Sequence, residues 1–204
     1  MNRPPPPAPD FGAPCPVTAS EETLALLATR RSVSPQTLTA PGPDPDQRAE
    51  LLRLAARVPD HGKLFPWRFI VLEGPAKARF VARLRIMAAR QEQREKAEAV
   101  LAKIANPPLT VAVISRPQPG KIPAWEQQLS AGAVCMTLLI SAHAMGFGAS
   151  WISDWYASDP EALALLGVEG GEQVAGFIHI GTPGETPLER IRPDVEALTR
   201  PWNG

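Results

Sequence analysis

The sequence predicts one α+β domain, and three observations carry that reading. A chain of 204 residues is long enough to bury one sizeable core and short for two. Its helical segments come first, and strands and helices then follow in mixed order, unlike the regular alternation of a parallel α/β sheet. No internal repeat interrupts that order. The longest apolar run, Ala131 to Ile140, falls well below the roughly twenty residues that a bilayer span needs.

The elements follow from local chemistry. Met1 to Ser20 holds seven prolines and no apolar stretch of the kind a signal or transit peptide carries. Residues 1–19 are therefore expected to be a solvated, disordered tail with polyproline II character, the PxxP match from Pro4 to Pro7 included, and the folded domain to span 20–204. A first helix is expected from Ser20 to Arg31: Thr18 and Glu21 have capping-box spacing, and Leu24, Leu26 and Leu27 supply an apolar face. A second begins at Asp44-Pro45-Asp46-Gln47, with Asp44 as N-cap, Pro45 at N1 and Gln47 at N3, and stops before Pro59.

Arg68 to Leu72 reads as a strand by its β-branched and aromatic content, closed by Glu73-Gly74-Pro75. A charged helical stretch follows from Ala76 to Ala105, whose polar part, Arg90 to Lys96, is expected to be a mobile excursion. Leu109 to Ser115 is a second clear strand. Glu126 to Met145 is a helix apolar on nearly every face, which requires burial all round and suggests a partner chain. Gly146-Phe147-Gly148 ends it. A short strand at Ala149 to Ser153, a short helix at Asp159 to Leu166 and a strand at Val174 to Ile180 complete the chain.

Composition narrows the function. Twenty-one basic and twenty-one acidic residues leave no net charge, so the bulk electrostatic footprint of a nucleic-acid-binding or membrane-surface protein is missing. Cys15 and Cys135 are too few and too far apart for a disulfide framework or a zinc site, which fits a reducing cytoplasm. Gly170-Gly171 lacks the Gly-Lys-Ser/Thr ending of a phosphate-binding loop, and Gly146-Phe147-Gly148 follows a helix where a dinucleotide fingerprint would follow a strand. No HExxH, CxxC or nucleophile-elbow pattern occurs, so hydrolytic and metal chemistry lose their support.

Local clusters must then carry any anion binding. Arg30-Arg31-Ser32 suits a phosphate, because guanidinium groups bind phosphate bidentately and the hydroxyl adds a donor. Cations in the last turn of a helix also offset its dipole and bond its free carbonyls, so a purely structural role is open at this point. His61 follows Pro59-Asp60 in a turn with Arg57 and Lys63 beside it, a basic group that can face an anion or polarise a reduced cofactor. Trp67 reads as core packing, and His143 and His179 as core histidines with satisfied ring nitrogens.

Taken together, Arg30-Arg31-Ser32, Arg57 to Lys63, Pro66-Trp67-Arg68-Phe69, Trp125-Glu126-Gln127, Ser130-Ala131-Gly132, Gly146-Phe147-Gly148 and Gly176-Phe177 to Gly181-Thr182-Pro183 resemble one family from residue 20 to about 200. It is the FMN-dependent nitroreductase family, in its compact YdjA-like NAD(P)H nitroreductase branch. The resemblance implies a nitroreductase-like fold, a central mostly antiparallel sheet flanked by helices, in a homodimer with FMN at the subunit interface and NAD(P)H as co-substrate. It implies that Arg30, Arg31 and Ser32 hold the phosphate and ribityl end, and that Arg57 and His61 reach the same flavin from the other chain. Trp151, Ile152 and Ser153 match the segment along the isoalloxazine ring. Ser141, Ala142, His143, Ala144, Met145 and Gly146 match a stretch assigned to nicotinamide nucleotide, and Arg190 or Arg192 is the candidate for a C-terminal phosphate contact. The family pattern often has Asn-Ser-Gln before Pro-Trp, whereas this chain has Lys63-Leu64-Phe65.

The implied activity is hydride transfer from NAD(P)H through FMN to a small-molecule electron acceptor such as a nitroaromatic or quinone, the cofactor supplying the chemistry. The alternative is a non-catalytic flavin-binding dimer, a carrier or redox sensor.

Overall fold

The computed structural model describes residues 5–203. Residues 1–4 of the proline-rich stretch, with the first proline of the PxxP match, lie outside the described residues. Residues 5–19 form no helix or strand, and Pro6 O accepts a hydrogen bond from Arg53 at 2.8 Å.

Five strands form the centre of the domain, and every pairing among the described residues is antiparallel. They are β1 (Leu38–Thr39), β2 (Trp67–Glu73), β3 (Leu109–Ser115), β4 (Gly148–Ile152) and β5 (Gln173–Pro183). The last of these is the hub, pairing with β3, β4 and the two residues of β1, while β2 pairs with β3. The short strand β1 was not anticipated, because two residues carry no readable alternation.

Among the described residues seven α-helices surround the sheet: α1 (Glu21–Thr29), α2 (Pro45–Ala55), α3 (Gly74–Ala88), α4 (Arg94–Ala99), α5 (Ala102–Ala105), α6 (Ala124–Ala144) and α7 (Pro160–Leu166). The strand β3 is buried along its whole length because both faces are covered. Val111 and Val113 join Ile178 and Ile180 against Val134, Cys135 and Leu138 of α6 and Leu51 of α2. Ala112, Ile114 and Phe177 pack on the opposite face against Phe80 and Leu84 of α3, Ile104 of α5 and Tyr156. This period-2 division is what a strand between two layers requires.

The N-terminal signals of α2 hold as read: Asp44 accepts from Gln47 N at 2.8 Å, and Gln47 Oε1 accepts from Asp44 N at 3.0 Å. At the end of α6, Gly146 adopts φ 84° and Phe147 N donates back to Ala142 O at 2.9 Å, closing the helix where the sequence indicated.

Four expectations need correction. The first helix is capped by Ser20, whose Oγ accepts from Thr23 N at 3.2 Å, and it stops at Thr29. Arg30 is already extended, at ψ 136°, because the chain must reach β4, where Val33 N donates to Ala149 O. The stretch from Ala76 to Ala105 is three helices. A continuous helix of that length would run roughly 45 Å, about twice the span of the seven-residue strands beside it, so the chain turns after Ala88 and returns Ala97, Leu101 and Ile104 to the core. The long helix α6 is not covered all round: Trp125 and Leu129 are exposed on the single chain. The histidines are not fully satisfied either. His179 Nδ1 pairs with Thr110 Oγ1 at 2.9 Å and leaves Nε2 without a partner, while neither ring nitrogen of His143 has one.

Candidate functional site

The residues after α1 gather the densest positive charge described. Arg30 reaches Ser32 Oγ at 3.4 Å through one terminal nitrogen, and its Nε is buried with no hydrogen-bond partner. Burial, followed by the charges of Arg192, Arg31 and Arg190, lowers the pKa of Arg30. Glu189 is the carboxylate paired with this group, 2.9 Å from Arg192 and 4.0 Å from Arg31. Four guanidinium groups against one carboxylate leave a net positive cluster, and the buried orphan N–H of Arg30 within it is costly unless an acceptor satisfies it.

The C-terminal arm builds this cluster. Leu188 O accepts from Arg31 Nε at 2.8 Å, and Arg192 donates to Arg30 O at 3.3 Å. Both Arg190 and Arg192 therefore lie within electrostatic reach of Arg30. Arg30 is the C-cap residue of α1, with its backbone N–H donating to Leu26 O at 2.9 Å, but neither the Arg30 nor the Arg31 side chain bonds a free carbonyl of that helix.

Ser141 to Gly146 forms the last turn of α6 and its cap. Ser141 and Ala142 are buried, so His143, Ala144, Met145 and Gly146 provide what this stretch presents outward. His143 stands near Arg30. Burial and then the Arg30 charge hold its pKa below the ordinary imidazole value.

The turn from Arg57 to Pro66 lies at the other end of α6. His61 Nδ1 meets Glu126 Oε2 at 2.8 Å, and Ser130 Oγ donates to Pro59 O at 2.6 Å. Arg57 and Lys63 are exposed on this turn, and Trp67 is buried beneath it. Between Glu126 and His143 the helix rises roughly 25 Å, so the two basic groups stand toward opposite ends of α6 on one chain.

The end of β4 forms a third part. The Trp151 side chain is exposed, donates from Nε1 to Ala175 O at 3.2 Å, and lies over Gly176. A Cβ at Gly176 would overlap the indole, which is why that position accepts no side chain. Ser153 also borders a cavity of 780 Å³ lined by Gln91, Lys96, Val100, Asp154, Trp155 and Val174. The polar excursion after α3 thus covers the outer end of β4 and does not reach the arginine cluster. Glu189 was not singled out from sequence, and Glu126 and Gly176 stood only inside family-like motifs, their contacts with His61 and Trp151 unread because each partner is distant in the chain.

Among the described residues no group of three or more His, Cys, Asp or Glu could hold a metal ion, and no helix is long and apolar enough to cross a membrane.

The chain matches the model of the nitroreductase family over residues 27–182. It is 34% identical over 164 residues to the Escherichia coli (strain K12) protein named "Putative NAD(P)H nitroreductase YdjA", covering 79% of this chain and 88% of that one. A nitroreductase-like family protein from Bacillus cereus superposes with a TM-score of 0.80 at 23% identity, over 93% of this chain and all of the other. A nitroreductase with bound FMN from Bacteroides fragilis NCTC 9343 superposes with a TM-score of 0.68 at 20% identity, covering 86% and 96%. The sheet and the helices around it thus form a fold shared with these proteins, and the family model spans most of the chain: it belongs to the nitroreductase family.

Proposed function

We propose that this protein is a homodimeric FMN-dependent oxidoreductase that uses NAD(P)H to reduce nitroaromatic, quinone or similar electrophilic acceptors. The observation that carries the reading is the buried, unpartnered Nε of Arg30 inside a group of four arginines that faces one carboxylate. A phosphate monoester supplies the acceptor oxygens and negative charge that this pocket lacks. Bound FMN and NAD(P)H enter from the names of the relatives, one crystallised with FMN and another named for NAD(P)H.

FMN, when bound, takes a hydride from the nicotinamide and passes it to the acceptor. Arg30 and Ser32 hold the phosphate end, with Arg31 and whichever of Arg190 and Arg192 faces it. Backbone groups at Trp151, Ile152 and Ser153 lie along the ring. His61 and Arg57 act from the partner subunit, a reading supported by the length of α6 that separates them from Arg30 within one chain.

The assembly is supported by what the single chain leaves bare. Leu24 and Leu27 of α1 and Trp125 and Leu129 of α6 are exposed, as are five large apolar side chains of the arm from Leu188 to Trp202. Such surface exceeds what scattered exposure explains and suits an isologous interface.

The test is optical. The purified protein is expected to be yellow or to take up FMN, to bleach with NAD(P)H under anaerobic conditions, and to recover its colour when a nitroaromatic is added. Bleaching without recovery on any nitroaromatic or quinone would favour the flavin carrier, and failure to bind FMN would overturn the reading.

A further inference from the structure

We propose that Phe65 is an acceptor-selecting platform, presented by one protomer beside the partner's flavin, where it stacks flat aromatic acceptors. The inference rests on the reading above that the turn from Arg57 to Pro66 serves the opposite subunit.

The turn is built to hold this ring outward. Lys63 and Phe65 are the two non-glycine residues with positive φ among those described, at 55° and 48°. A bulky residue in the left-handed region is an outlier that persists only where its surroundings over-determine it. Here they do. The Asp60 carboxylate accepts from Leu64 N at 3.2 Å and from Phe65 N at 2.8 Å. Phe65 O accepts from Trp67 N at 2.8 Å, and Pro66 O accepts from Arg116 N at 2.9 Å. Ser130 ties Pro59 to α6 and Arg116 ties Pro66 to the end of β3, so both ends of the turn are anchored to the core.

The product of this construction is a phenylalanine that remains 68% exposed. Its ring meets Trp67 edge-on, with centroids 6.4 Å apart and an interplanar angle of 87°. That contact fixes the ring and leaves a face uncovered. A hydrophobic side chain held away from its own core by a strained turn is free to meet a ligand outside that core. A turn that carries His61 to the partner's cofactor carries Phe65 with it, four residues on. The aromatic ring offers a π face and no hydrogen bonds. Such a face favours planar conjugated ligands in offset stacking and gives nothing to a small, non-planar acceptor.

The experiment compares FMN-loaded wild type with Phe65→Gln, Phe65→Leu and Phe65→Tyr, measuring kcat/KM for menadione, a flat bicyclic quinone, and for ferricyanide. FMN affinity and dimer mass are recorded alongside. Glutamine and leucine are expected to lower the menadione-to-ferricyanide ratio roughly fivefold to tenfold, and tyrosine to preserve it. An unchanged ratio in all three variants overturns the proposal. So does loss of FMN or of the dimer with the ratio preserved, since Phe65 would then be an interface residue. The two readings fail separately: a wild type that binds no FMN removes the cofactor reading and this one with it. Flavin that NAD(P)H bleaches in every variant, with the acceptor ratio unmoved, removes this one alone.

Discussion

Replacing Arg30 with alanine separates ligand binding from folding. The Arg30 side chain makes one long hydrogen bond, 3.4 Å to Ser32 Oγ, leaves Nε unpartnered, and stands among Arg31, Arg190 and Arg192. Removing it relieves like-charge repulsion and a buried orphan donor. The apoprotein should therefore melt no lower than wild type, and by a gain of about 0.5 kcal/mol it should melt roughly 1–2 °C higher. FMN binding should suffer instead. A charge-assisted hydrogen bond is worth about 1.5–3 kcal/mol, which weakens Kd by roughly 10- to 150-fold. Fluorescence titration of FMN gives the affinity, and thermal unfolding of FMN-stripped protein gives the stability. Added salt should stabilise the wild-type apoprotein more than the variant, because it screens the repulsion the variant lacks. Unchanged FMN affinity together with a lowered apoprotein melting point would refute the reasoning and assign Arg30 to the fold.

Two further perturbations test the packing that holds the site. Gly176→Ala places a methyl group into the Trp151 indole and should lower stability in urea by roughly 1–3 kcal/mol; the same change in a Trp151→Ala background should lose most of that effect, and an undiminished penalty would show that the indole is not the obstacle. Lys77 is 4% exposed, its Nζ donates to Pro107 O, and burial pulls its pKa down to about 7. For this base the unfolded chain holds the proton more tightly than the native one. Stability should thus rise as pH increases from about 7 to 10.5, where both states become neutral, and settle at its lower level below 7. Lys77→Met should flatten that rise relative to wild type, as followed by urea unfolding across the range, and parallel profiles would refute the assignment.

What could be read from the chain depended on whether the determining partners were close in sequence. The capping box of α2 lies within four residues, and β3 is an apolar run rich in β-branched residues, so the start of α2 and both ends of β3 were legible. The end of α1 was not, since the tie from Val33 to Ala149 spans most of the chain. The break after α3 was hidden for a different reason: Gln91 to Gln93 are as acceptable on an exposed helix as in a turn, and the length of the sheet makes the choice. At the site, Arg30, Arg31 and Ser32 were identified as a group, but spacing could not distinguish Arg190 from Arg192, because the arm returns to Arg30 only through tertiary structure. The Trp151–Gly176 contact was invisible for the same reason, although Gly176 lies in a motif that carried the family resemblance and Trp151 in a segment that the resemblance implied.

The central claim is that each flavin site is assembled from the arginine pocket of one chain and the His61 turn of the other. Mixing Arg30→Ala protein with His61→Ala protein tests it directly, once subunit exchange has been verified by mass and each parent found impaired. In a heterodimer both lesions then fall in one site and the second site is wild type. Activity should rise above either parent, approaching roughly a quarter of the wild-type level at full random exchange. Verified heterodimers that recover no activity would contradict the account and assign both residues to a site within a single chain.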